Sequence, residues 1–138
     1  MSTRTGLHPQ IVIPSPQGSP ANGASMAANI TSAPTILQSL TGISYSLSWT
    51  GSSPVGTASV QVSNDFSLNP NGTVNNAGTW TTLELQVNGS PVSSIPVSGN
   101  TGTAFIDIQK TMAYAIQLVY TAASGTGTLQ AICVAKVA

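Results

Sequence analysis

Charge is what this sequence has least of. Asp, Glu, Lys and Arg make up 4% of its 138 residues, against about a quarter in an ordinary soluble domain. The full set is Arg4, Asp65, Glu84, Asp107, Lys110 and Lys136, and it sums to zero. A neutral chain projects no long-range field, which argues against nucleic acid or an anionic membrane surface as partner. It also lacks the repulsion that keeps free monomers apart. Ser and Thr supply roughly a quarter of the residues, so the polar surface is built from small hydroxyls. Such a surface reads as one that neighbouring subunits cover.

Cysteine and histidine are nearly missing as well, with one of each, Cys133 and His8. A single thiol excludes an intrachain disulfide, and the small apolar residues around Cys133 predict a buried, inert side chain. Zinc needs three or four Cys, His or carboxylate ligands, which these residues do not assemble. A Ser-His-Asp triad would have to recruit His8 from the N-terminal segment. The carboxylates Asp65, Glu84 and Asp107 are too few and too scattered to specify an acid–base pair. The glycines open no helix, so no phosphate cradle follows. The expectation is a protein that is not an enzyme and that holds neither cofactor nor metal.

Long apolar runs are absent too. None approaches the roughly 20 residues of a membrane-spanning helix, and Met1-Ser2-Thr3-Arg4 does not lead into the apolar core of a signal peptide.

What remains is rich in β-branched residues arranged in short alternating runs. In Ile43-Ser44-Tyr45-Ser46-Leu47-Ser48-Trp49 every second residue is apolar and the intervening ones are serines, the period of a half-buried strand. Thr57 to Ser63 alternates again, with Ala58, Val60 and Val62 on one side. Further strands are expected at Ile36 to Leu40, Thr79 to Val87, Ala104 to Ile108, Ala113 to Thr121 and Thr128 to Val137. Gly51-Ser52-Ser53-Pro54 and Ser124-Gly125-Thr126-Gly127 read as chain reversals, and Gly99 and Gly102 as parts of hairpin turns. No window holds a helical period over ten residues. The pattern predicts an all-β fold, a single antiparallel β-sandwich of jelly-roll or Ig-like type with about seven or eight strands. Its core would gather Leu47, Trp49, Val60, Val62, Leu83, Ile106, Leu118 and Ile132.

The first 34 residues differ in composition. Pro9, Pro14, Pro16, Pro20 and Pro34, with Gly18 and Gly23, disfavour helix and central strand alike. Residues 1–34 are therefore expected to form an extended arm, and residues 35–138 the β-domain. Within the arm, Leu7 and the triplet Ile11, Val12 and Ile13 are the candidate interaction residues, because a β-branched triplet can add itself to a sheet edge.

Two further sites merit naming. The loop from Ser63 to Gly72 offers Asn64, Asp65, Asn69 and Asn71 as oxygen ligands for calcium. One carboxylate makes a poor calcium site, so these side chains are expected to brace the turn instead. Trp80 and Tyr114 are candidate platforms for a sugar ring, with core packing the commoner fate of such residues.

From Ser32 onward the chain resembles a recurrent tailed-bacteriophage virion protein domain. The resemblance is carried by Ser32-Ala33-Pro34, Leu40-Thr41-Gly42, the strand from Tyr45 to Trp49, Val60-Gln61-Val62-Ser63-Asn64-Asp65, Trp80-Thr81-Thr82-Leu83 and Phe105-Ile106-Asp107-Ile108. Leu118-Val119-Tyr120-Thr121 followed by Ser124-Gly125-Thr126-Gly127-Thr128-Leu129 is its most specific block. It departs at Ala113-Tyr114-Ala115-Ile116, where such domains often carry a larger aromatic and an arginine. The resemblance implies a non-enzymatic virion part, assembled in the host cytoplasm as a homo-oligomer and contacting the major capsid protein or other virion subunits. A capsid decoration or cement protein is the first expectation. A tail, neck or baseplate component, with receptor or carbohydrate binding, is the second.

Overall fold

The computed structural model describes residues 9–13, 24–37, 40–108 and 110–137. All regular structure in them is β. In chain order the strands are β1 (Gln10–Ile13), β2 (Ala24–Ser25), β3 (Ile30–Thr31), β4 (Thr35–Ile36) and β5 (Gly42–Ser63). Then come β6 (Ser67–Leu68), β7 (Val74–Asn76), β8 (Thr81–Thr82), β9 (Leu85–Val87) and β10 (Ser90–Val92). β11 (Ile95–Ser98), β12 (Thr101–Ile108) and β13 (Ala115–Lys136) complete the set. Nine of them share one antiparallel sheet, while β6–β7 and β9–β10 are separate two-stranded hairpins.

Two strands of 22 residues, β5 and β13, form the spine of the sheet. They pair from Ala115↔Ser63 to Lys136↔Gly42. On the outer edge of β13 lie β4, β3, β2 and β1 in succession. On the outer edge of β5 lie β8, β11 and β12 in the same manner. The sheet is thus four passes of chain, each antiparallel to its neighbours, and two of the passes are interrupted.

This arrangement corrects two sequence expectations. Gly51-Ser52-Ser53-Pro54 and Ser124-Gly125-Thr126-Gly127 do not reverse the chain. They face each other across the ladder, with Gly51↔Gly127, Ser52↔Thr126 and Val55↔Ser124 as partners. The register shifts between Ala122 and Ser124 and again between Ser124 and Thr126, the signature of a bulge that bends a pair without ending it. Ser53 (φ 50°) and Gly125 (φ 79°) take left-handed backbone there. A Cβ on Gly125 would run into the Ser53 carbonyl, and one on Gly51 into the Thr126 carbonyl.

The outer passes turn at the same line. Asn100 joins β11 to β12 and accepts from the Gly51 amide at 2.8 Å, while its Oδ1 accepts from the Ser53 amide at 2.8 Å. Gly99 is therefore a bend between strands that run on in one direction, and Gly102 lies inside β12 against the Trp49 ring. On the other side the Met26 amide donates to the Gly127 carbonyl at 2.9 Å, and Asn29 Oδ1 accepts from the Ala122 amide at 2.9 Å.

Alternation then decides the core. Ile43, Tyr45, Leu47, Trp49, Ala58 and Val60 of β5 are buried together with Ile116, Leu118, Tyr120, Leu129, Ala131 and Cys133 of β13. Residues from both sides of the bend belong to one cluster, which Val97, Ile106 and Ile108 join from the β11–β12 pass. Fully burying each large aliphatic side chain contributes roughly 1.5–3 kcal/mol. Three of the expected core members lie elsewhere or only partly inside. Ile132 is 41% exposed, because the bulge between Ala122 and Thr126 shifts the alternation, so that Leu129, Ala131 and Cys133 continue the inward face of Leu118 and Tyr120. Val62 and Leu83 are half-buried at the margin.

Val12, Ile13 and Met26 are fully buried in this same cluster. Residues 10–13 and 24–36 thus cover one edge of β13 in the chain's own sheet. Tyr45 OH, Trp49 Nε1 and Tyr120 OH are buried without a hydrogen-bond partner among the described residues.

Candidate interaction face

The outward positions of β12, β5 and β13 make a plane of hydroxyls. Thr101 and Thr103, then Ser46, Ser48 and Thr50, then Thr128 are all exposed on it. Serines on the central strand leave room, and two apolar side chains stand above them. Phe105 is opposite Ser46, Ser46 is opposite Ile132, and Ile132 is opposite Ile11. Directly opposed residues share a face, so these four form one row across four strands. Phe105 is 65% exposed.

Two hollows flank that ring. One is lined by Ile43, Ser44, Val134, Lys110 and Lys136, the other by Glu84, Leu85, Val87 and Ile95. Phe105, Asp107 and Ile108 line both and so form the wall between them. Four of the chain's six charged residues therefore surround one exposed phenylalanine. All four are exposed. Asp107 and Lys110, which the sequence places near enough to pair, form no ion pair with each other, and neither does Lys136 with any described residue. Among the described residues Glu84 accepts one long bond, 3.4 Å, from Gln86.

Asp65 stands apart and has a structural task. Its Oδ1 accepts from the Thr79 amide at 2.7 Å and from the Ser63 hydroxyl at 2.8 Å. The Thr79 amide first, and Ser63 after it, hold its pKa below the ordinary carboxylate value. Ser63 Oγ in turn accepts from the Phe66 amide at 3.2 Å, and Asn64 Oδ1 accepts from the Tyr114 amide at 2.9 Å. Asn69 and Asn71 bond to Thr73. Asp65 Oδ1, Asn64 Oδ1 and Asn71 Oδ1 thus accept hydrogen bonds from protein groups, while Asn69 bonds through its Nδ2 donor. No group of three potential metal ligands occurs among the described residues.

Of the two candidate platforms, Tyr114 is 37% exposed, while Trp80 packs on its own loop. Trp80 is half-buried, tilts at 50° against Phe66 with ring centroids 5.6 Å apart, and donates its Nε1–H to the Ala77 carbonyl at 2.9 Å. Cys133 is fully buried as expected; burial pushes its thiol pKa up, and Thr35 Oγ1 lies 3.5 Å from its Sγ.

Of the candidate interaction residues, Leu7 lies outside the described residues, as does His8. Ile11 is half-buried at the end of the Phe105 row, while Val12 and Ile13 point into the core. Sequence reasoning passed over Phe105 as a site. Its signal was parity: in Phe105-Ile106-Asp107-Ile108 the isoleucines share the inner face, which leaves Phe105 beside Asp107 on the outer one.

Comparison with protein-family models, with curated proteins and with solved structures returns no match for this chain. None of the described residues forms a helix long and apolar enough to cross a membrane.

Proposed function

We propose that this chain is a non-enzymatic structural subunit of a phage particle, a capsid decoration or cement protein in the first instance. The observation that carries the reading is the Phe105 face. An uncharged hydroxyl plane, with an exposed ring on its edge strand β12 and most of the chain's charge around that ring, has the composition of a contact surface: an apolar anchor beside a polar rim. The resemblance of the segment from Ser32 onward to virion domains supplies the setting, and the partners it implies are further copies of this chain and the major capsid protein.

The bent four-pass sheet supports a sandwich-like architecture for the subunit. Folding about the common line would bring the two halves face to face, which accounts for the single core. The N-terminal segment then has two parts. Residues 10–13 and 24–36 complete the sheet edge, and the rest of the expected arm lies outside the described residues.

Quantitative mass spectrometry of purified particles tests the proposal. A decoration protein is present in hundreds of copies per particle. A tail, neck or baseplate component is present in a few to tens, and that count would move the assignment there. Absence from particles, or turnover of a substrate by the pure protein, removes the reading altogether.

A further inference from the structure

We propose that the Phe105 face is the contact between two copies of this chain, related by a two-fold axis beside Phe105. The Lys110 and Lys136 side of each copy would lie against the Glu84 side of the other. The proposal rests on the assembly reading above and names the surface and the occupant.

The argument is one of sign and position. The two hollows beside Phe105 share a wall and differ in charge. One carries both lysines of the folded domain, and the other carries Glu84. Asp107 belongs to the wall. A two-fold axis lying in the face and running past the wall exchanges the hollows. Each positive side then meets a negative side, and both contacts form at once. This is the self-complementarity that an isologous interface requires. A partner of uniform charge would satisfy one hollow and oppose the other. A sugar would use the ring and the hydroxyls but would leave the separation of charges without a role.

The chemistry of the face divides the work. Phe105 and Ile132, exposed on a bed of serines, provide the apolar area that association removes from water. The rim charges fix which orientation is adopted, since unlike charges are tolerated at a contact and like charges facing each other are costly. A chain so poor in charge has placed four of its six charged residues where they can select a partner's orientation. None of the four forms an ion pair among the described residues.

The test uses the full-length chain and sedimentation velocity over a concentration series reaching about 100 µM, the range that resolves micromolar dimers. The wild type is expected to dimerise. Glu84→Lys is expected to weaken the dimer about tenfold or more, because it sets lysine against lysine. The double variant K110E/K136E is expected to do the same by setting glutamate against glutamate. Phe105→Ala is expected to weaken it as well while leaving unchanged the thermal unfolding temperature measured at dilutions where both chains are monomeric. Mixing the Glu84→Lys chain with the K110E/K136E chain is expected to restore dimers that contain one of each. A monomeric wild type overturns the proposal. So does a dimer indifferent to Phe105→Ala and Glu84→Lys, or a mixture that stays monomeric while both variants unfold normally. The assembly reading is judged separately by the copy number in particles. A particle-bound chain whose dimer ignores Glu84→Lys would keep that reading and lose this contact.

Discussion

Gly51 and Gly127 face each other across the β5–β13 ladder, and a side chain on Gly51 would collide with the backbone of the opposite strand. A Cβ on Gly127 would in turn sit 2.6 Å from the Thr50 carbonyl. The pair marks the place where two 22-residue strands bend together. Overfilling a packed site costs about 1–3 kcal/mol, so Gly51→Ala and Gly127→Ala should each destabilise by that amount. Urea unfolding measures it. The double variant should cost less than the sum of the two, because both relieve the same close approach.

Burial of β1 makes a second expectation. Ile13 is fully buried in the common core, and truncating a buried isoleucine to alanine costs about 2–5 kcal/mol. Ile13→Ala should lower stability within that range, whereas Ile11→Ala, at the half-exposed end of the outer row, should have a smaller effect. Equal, negligible losses at both positions would show that β1 does not complete the sheet edge in solution.

Much of this was legible in the sequence. The alternation from Ile43 to Trp49 and from Thr57 to Ser63 places the inward side chains of β5 correctly, since a period of two admits one buried face. The misreading lay in the punctuation between the runs. A cluster such as Gly51-Ser52-Ser53-Pro54 carries the same local chemistry whether the chain reverses or bulges. What decides is whether a second such cluster lies opposite, and that is a property of the pairing. Ile132 was misplaced for the same reason, since its phase is set by the bulge between Ala122 and Thr126, which moves the inward face from the even to the odd positions of β13. The Phe105 face was legible as parity but not as a site, because Glu84, Asp107, Lys110 and Lys136 are brought together only by the pairing of distant strands.

The acid end of the pH range should report on the loop after β5. The Asp65 pKa is lowered in the folded chain by the Thr79 amide and the Ser63 hydroxyl. A depressed carboxyl contributes stability above its unfolded pKa and loses it as pH falls through the folded value. The difference in melting temperature between wild type and Asp65→Asn should therefore be present at neutral pH and shrink below the ordinary carboxylate value of 3.8. A difference that stays constant down to strongly acid pH would assign Asp65 a different role.

At the alkaline end the sign is opposite. Burial raises the pKa of Cys133 and of Tyr45 in the folded state. Their contribution is complete below the unfolded values and fades as pH rises toward the folded ones. Stability should begin to fall near the ordinary thiol value of 9.0 and continue through that of tyrosine. Iodoacetamide should correspondingly label Cys133 only at the rate of global unfolding, which a denaturant series coupled to mass spectrometry can follow.

The partnerless hydroxyls give a final expectation. Tyr45 OH is buried without a hydrogen-bond partner among the described residues, so removing it forfeits no bond within the protein and relieves a desolvated polar group. Tyr45→Phe should be neutral or stabilising by up to about 1 kcal/mol. A clear loss in calorimetry would mean that the hydroxyl is satisfied in solution.

The common bend line has one more effect. A strand that slipped by two residues would keep its inward face, but its kink would fall out of step with those of its three neighbours. Slippage of that kind is therefore blocked even where the side-chain pattern would permit it. Inserting or deleting residues within β5 or β13 should be ruinous, while the β6–β7 and β9–β10 excursions can lengthen or shorten freely. The fold thus fixes distances along its spine and leaves variation in length to its hairpins.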